Sequence, residues 1–175
     1  MKSIKKMILA AMFLAIALYL PFLTGQIPQI GSMLLPMHLP VLIAGFVCGW
    51  PYGLAVGFIA PLLRSVAFGS PPFPIVAVPM AFELAAYGLL TGLLYQSLPK
   101  KRLSSIYISL LGAMLGGRIV WGLVRYAMLL SGTPITWQAF VSAVFVTSLP
   151  GIILQIVLVP LIVLALERAG LTVNV

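Results

Sequence analysis

Most active sites are assembled from groups this 175-residue chain scarcely has: one cysteine, one histidine and two acidic residues. A lone cysteine, Cys48, excludes an internal disulfide framework and any metal cluster built on cysteine. Within its apolar surroundings it reads as a small hydrophobic residue. With only His38, Glu83 and Glu167 to work with, an enzyme would have few parts for acid–base chemistry. No G-x-x-x-x-G-K-[ST] loop is present, so the chain does not bind ATP in that way. G-x-S-x-G and H-E-x-x-H are absent too, as is any clustering of His, Cys or Asp for a metal or a nucleophile. No internal repeat of the alternating-access type is visible. The expectation is a protein without catalytic residues, metal or cofactor.

Charge is scarce as well. Charged residues make up 7% of the chain and hydrophobic residues 62%, whereas soluble domains carry about 25% charged residues. Mean hydropathy is +1.20. A membrane-spanning helix takes about 20 residues, so roughly five to seven passes would use nearly the whole chain. The expectation is one integral-membrane domain over residues 1–175. The net charge of +8 does not form a basic patch interleaved with aromatics, as nucleic-acid binding would require. The basic residues instead cluster at the ends of apolar runs, which is the pattern of membrane topology.

The stretch Leu34–Pro74, LLPMHLPVLIAGFVCGWPYGLAVGFIAPLLRSVAFGSPPFP, carries the densest information. It reads as two hydrophobic passes joined at a tight Trp50-Pro51 turn and followed by a stiff proline loop. Ahead of it, the basic start and the apolar run Met7–Leu23 look like a signal peptide, but the hydrophobic passes that follow favour an uncleaved first helix. Ala11 and Ala15 stand four apart on one face of that helix, a small-xxx-small pair that lets another helix approach closely. They serve either packing inside the bundle or docking of a partner. Thr24–Pro36 is too irregular to face lipid and belongs at the surface or over a cavity.

Helix two is expected at about Met37–Gly49 and helix three at about Tyr52–Phe68, with kinks at Pro40 and Pro61. Gly45, Gly49, Gly53 and Gly57 recur every four residues and suggest close packing on either side of the turn. Gly69–Pro74 forms a stiff loop. Helix four is expected at about Ile75–Leu98, helix five at about Ile106–Leu130, and Ser131–Thr136 is the next loop. Helix six could start near Trp137 or only after Pro150; it is placed at about Ala139–Leu166, with kinks at Pro150 and Pro160. The fold class is thus all-α: a six-helix transmembrane bundle with both termini on one side. Lys2, Lys5, Lys6, Lys100, Lys101, Arg102 and Arg168 mark that side as cytoplasmic. The three irregular loops then lie outside, over an outward-facing pocket.

Four ionisable residues fall within spans, Arg64, Glu83, Arg118 and Arg125, and such groups are by default functional candidates. Arg118 and Arg125 are two turns apart and share a face. One glutamate can neutralise one arginine, which leaves positive charge for an anionic ligand, and arginine grips carboxylate bidentately. The competing reading has these arginines snorkelling to headgroups or bonding backbone carbonyls. Tyr87 is one turn from Glu83, and Trp121 lies beside Arg118 on a neighbouring face. Tyr126, Trp137, Gln138 and Gln155 bound the same region, each readable as an interfacial anchor or packing residue. His38, where the first outer loop enters helix two, either caps that loop or touches a ligand.

Taken together, the basic start with Ala11-x-x-x-Ala15 and the run MHLPVLIAGFVCGWPYGLAVGFIAPLLRSVAFGSPP resemble the substrate-binding S components of energy-coupling factor (ECF) transporters, the vitamin-uptake systems of prokaryotes. The second run is similar to the branch that includes riboflavin and pantothenate carriers. The resemblance implies a high-affinity vitamin binder in the prokaryotic cell membrane, partnered by a transmembrane coupling subunit and two cytoplasmic ATPase subunits. It implies that Ala11 and Ala15 meet the coupling subunit and that Thr24–Pro36 and Gly69–Pro74 gate the pocket. Glu83, Arg118, Trp121 and Arg125 would then be contacts for the ligand. The arginine excess favours a carboxylate-bearing vitamin such as pantothenate, with riboflavin or another neutral compound as the rival. A small intramembrane enzyme or an assembly subunit is the alternative of a different class.

Overall fold

The structure, a computed structural model, describes residues 2–23, 33–98, 102–130 and 148–172. Among them there are helices and no strands: α1 (Lys2–Leu23), α2 (His38–Cys48), α3 (Trp50–Phe68), α4 (Ala77–Ser97), α5 (Leu103–Leu130) and α6 (Leu149–Arg168). Five are long and apolar enough to cross a membrane, and α2 is a shorter apolar helix. Helix suits such apolar runs, because within lipid a helix satisfies its backbone polar groups internally. The chain is accordingly a multi-pass membrane protein, and Leu115, Ile119, Leu123 and Ile153 are among the large apolar side chains on the outside of the bundle.

The six expected helices are present, with shifted edges. The break between α2 and α3 is Gly49 alone, at φ 94°, where glycine carries no Cβ penalty. Trp50 and Pro51 are not the turn: Pro51 occupies the first turn of α3, where its missing N–H would have had no helical partner. Pro40 lies in the first turn of α2 for the same reason and does not interrupt it. Pro150 likewise opens α6 rather than kinking it, because the described helix begins at Leu149. The expected start at Ala139, the loop Ser131–Thr136, Trp137 and Gln138 lie outside the described residues, as does most of Thr24–Pro36.

Helices α2, α3 and α4 form a tightly packed centre built on glycine. A methyl added at Gly45 would sit 2.6 Å from the Gly88 carbonyl, and one at Gly53 would meet that same carbonyl. Gly57 faces the backbone of Leu84, and Gly92 faces that of Trp50. Backbones this close exclude any side chain, and dispersion between them replaces the hydrophobic drive that lipid cannot supply. Thr91, wholly buried, returns its hydroxyl to the carbonyls of Tyr87 (2.8 Å) and Gly88 (3.2 Å) and so leaves no polar atom unpaired there.

Both termini sit at one end of the bundle. Lys5 donates to the Gly170 carbonyl at 3.2 Å, Ser3 meets the Tyr52 hydroxyl at 3.4 Å, and the Tyr95 hydroxyl donates to Glu167. At the far end, Arg64 on α3 donates to the Leu18 carbonyl of α1 (2.8 Å), and Arg125 on α5 donates to the Ile75 carbonyl just before α4 (2.8 Å). Helices α2, α4 and α6 therefore run in the same direction, toward the termini.

Candidate functional site

One carboxylate gathers most of the interior polarity. Glu83 on α4 is 2% exposed. Arg118 Nη1 on α5 lies 3.0 Å from its Oε1, the Tyr87 hydroxyl donates to the same oxygen at 3.2 Å, and His38 Nε2 stands 3.7 Å from Oε2. Three helices thus supply a cation, a phenol and an imidazole to a single anion, and a buried charge persists only with such partners. Local sequence makes room for it. Gly117, just before Arg118, has no side chain where the Tyr87 ring lies, so Tyr87 can pack against α5 and still reach Glu83. His38 meets the Tyr87 ring edge-on, with centroids 5.4 Å apart.

The sequence candidates separate into two groups. His38, Glu83, Tyr87 and Arg118 come together. Arg64 and Arg125 do not join them. Arg64, 2% exposed, bonds the Leu18 carbonyl and lies over the rings of Phe22 (4.8 Å) and Phe68 (5.4 Å). Arg125 bonds the Ile75 carbonyl and lies 5.5 Å over the half-buried Trp121, one turn before it. Arg118 and Arg125 do share the face turned to α4, meeting it two turns apart. The arrangement at Arg64 and Arg125, carbonyl plus aromatic face, is the structural role that competed with ligand contact in the sequence. Ala11 and Ala15 are exposed on α1 whereas Ala10 and Ala17 are buried; the small pair faces outward and its neighbours face the bundle. A shallow groove runs beside it along Ala15, Ile16, Tyr19 and Leu20.

Several polar atoms are buried without a hydrogen-bond partner: both ring nitrogens of His38 and Nε and Nη2 of Arg118 in the cluster, and both amide atoms of Gln155 on α6. Gln155 is 1% exposed. In the sequence it is an amide alone in the run ILQIVLVPLIV. Among the described residues no group of three or more His, Cys, Asp or Glu could hold a metal. The unpartnered atoms of the cluster include both donors and groups able to accept.

The model of one protein family, described as ECF transporter, substrate-specific component, matches residues 5–163. No curated protein and no solved structure matches the chain. The family match runs from the first basic cluster into the last helix and includes every residue of the Glu83 cluster. The chain belongs to the family of ECF transporter substrate-specific components.

Proposed function

We propose that this chain captures a small vitamin at the far end of its bundle, in contact with Arg118 and His38, for an ATP-driven importer. Membership of the family makes it a substrate-binding transport subunit rather than an enzyme, working in a complex with transmembrane and ATPase subunits. The observation that carries the site is the set of buried, unpartnered donors and acceptors around Glu83. Native interiors rarely leave such atoms unpaired, and a ligand would complete them.

The finer reading has several parts. Residues 1–175 form one membrane domain of the riboflavin- and pantothenate-carrier type, in a prokaryotic cell membrane. The basic residues at the terminal end put that end in the cytoplasm, and the far end with its pocket outside. A cysteine placed at Lys101 that reacts with an impermeant thiol reagent on intact cells would contradict this orientation. A carboxylate-bearing ligand such as pantothenate would have Arg118 alone to meet it, since Arg64 and Arg125 hold backbone carbonyls. Arg118 already faces Glu83, so a neutral vitamin is the stronger reading.

Docking of the coupling subunit is assigned to the exposed Ala11–Ala15 face of α1, with two cytoplasmic ATPase subunits beyond it. Affinity purification of the tagged chain from its own membrane tests this. The wild type is expected to bring down ATPase subunits, and Ala11→Trp or Ala15→Trp to lose them while still binding ligand. A tryptophan variant that keeps its partners removes that face from the interface. A wild type that brings down no ATPase contradicts the transport reading.

A further inference from the structure

We propose that the buried end of this site recognises an uncharged group that both donates and accepts hydrogen bonds, of the amide, imide or ureide type, and that Gln155 selects it. The inference rests on the capture function proposed above and narrows its substrate class.

Register brings Gln155 to the cluster. A methyl on Gly151 would lie 2.6 Å from the Met33 carbonyl and 2.9 Å from that of Leu34, so α6 starts beside the segment leading into α2. The two helices run in the same direction. Gln155 stands one turn into α6 from Gly151. His38 opens α2 four residues after Leu34, its N–H on the Leu35 carbonyl at 3.1 Å, so both lie just inside the starts of neighbouring helices. Both side chains are 1% exposed. Neither has a hydrogen-bond partner.

Charge decides the class. Glu83 and Arg118 already neutralise each other at 3.0 Å, and the other intramembrane arginines bond carbonyls of α1 and of the segment before α4. A carboxylate seated here would add a second negative charge beside Glu83 in a low-dielectric interior, where like charges repel strongly. It would also only accept hydrogen bonds. Gln155 Oε1 would then stay without a donor. A cation would face Arg118 and leave the Arg118 donors unmet. An uncharged group with a carbonyl next to an N–H meets both needs: its oxygen accepts from Arg118 Nε or Nη2, and its N–H donates to Gln155 Oε1 or to His38. The Gln155 amide nitrogen can donate in return.

The ligand-free protein supplies the first test. Because the Gln155 amide is buried without a partner, removing it relieves a desolvation cost. Gln155→Leu is expected to raise the thermal unfolding midpoint of the detergent-purified, ligand-free protein. A lowered midpoint, or a variant that does not fold, would mean that Gln155 holds a structural bond, and would overturn the inference. The second arm measures midpoint shifts and affinities for matched pairs at millimolar concentration: nicotinate and nicotinamide, biotin and biotinamide, orotate and uracil. The uncharged member of at least one pair is expected to bind the wild type at least tenfold more tightly than its acid. Gln155→Leu and Gln155→Glu are expected to lose that preference. Acids bound as tightly as their uncharged partners, or no binding by any member, would overturn the inference. Either result leaves the capture function standing, since that fails separately if no ATPase subunit co-purifies.

Discussion

Glu83 organises the interior, because Arg118, Tyr87 and His38 all converge on it from three helices. An ion pair buried this deeply adds little net stability, but breaking it strands a charge. Arg118→Ala is therefore expected to cost about 3 kcal/mol of stability and to weaken ligand binding by roughly tenfold or more through the lost charge-assisted bond. Adding Glu83→Gln removes the stranded charge, so the double variant should unfold at a higher temperature than Arg118→Ala alone. Thermal unfolding of the four proteins in the cycle checks this, and purely additive losses would show that the two residues act independently. The chain's four intramembrane ionisable residues were legible as a set. Their partners were not. Three arginines of identical chemistry differ only in what the helix register sets opposite them: a carboxylate for Arg118, backbone carbonyls for Arg64 and Arg125.

At the scale of elements, the sequence shows the helices better than their joints. Apolar runs bounded by basic residues or proline place all six, since in lipid a long apolar run has no alternative to helix. In the sequence, Trp50-Pro51 reads as the joint between α2 and α3 because proline interrupts helices. The actual break is Gly49, which takes the positive φ, and Pro51 starts the next helix. Pro150 repeats the lesson at α6. The glycine spacing from Gly45 to Gly57 announced close packing but not its partner. The backbone of α4 at Leu84 and Gly88 fills that role, and nothing local to α4 marks it. Gly117 is similar: it thins α5 where the Tyr87 ring must pass, a need that only the α4–α5 pairing creates. The outward turn of Ala11 and Ala15 could not be told from inward packing until Ala10 and Ala17 were seen to face the bundle.

Across the whole molecule, polarity is divided between two ends. The terminal end is tied by Lys5 to Gly170, Ser3 to Tyr52 and Tyr95 to Glu167. Toward the far end lie the Arg64 and Arg125 bonds and the incompletely paired cluster around Glu83. Among the described residues, the unpartnered atoms of His38 and Arg118 lie toward the far end, and Ser109 Oγ is a further one nearer the terminal end. The proposed capture function would use the unpaired cluster from the far side, with the terminal end turned to the partner subunits. The most direct test is native mass spectrometry of the detergent-purified chain after incubation with a mixture of water-soluble vitamins. The account predicts one small molecule retained per chain by the wild type and lost from Arg118→Ala. A wild type that stays empty, or an Arg118→Ala protein that retains the same molecule equally well, would contradict it.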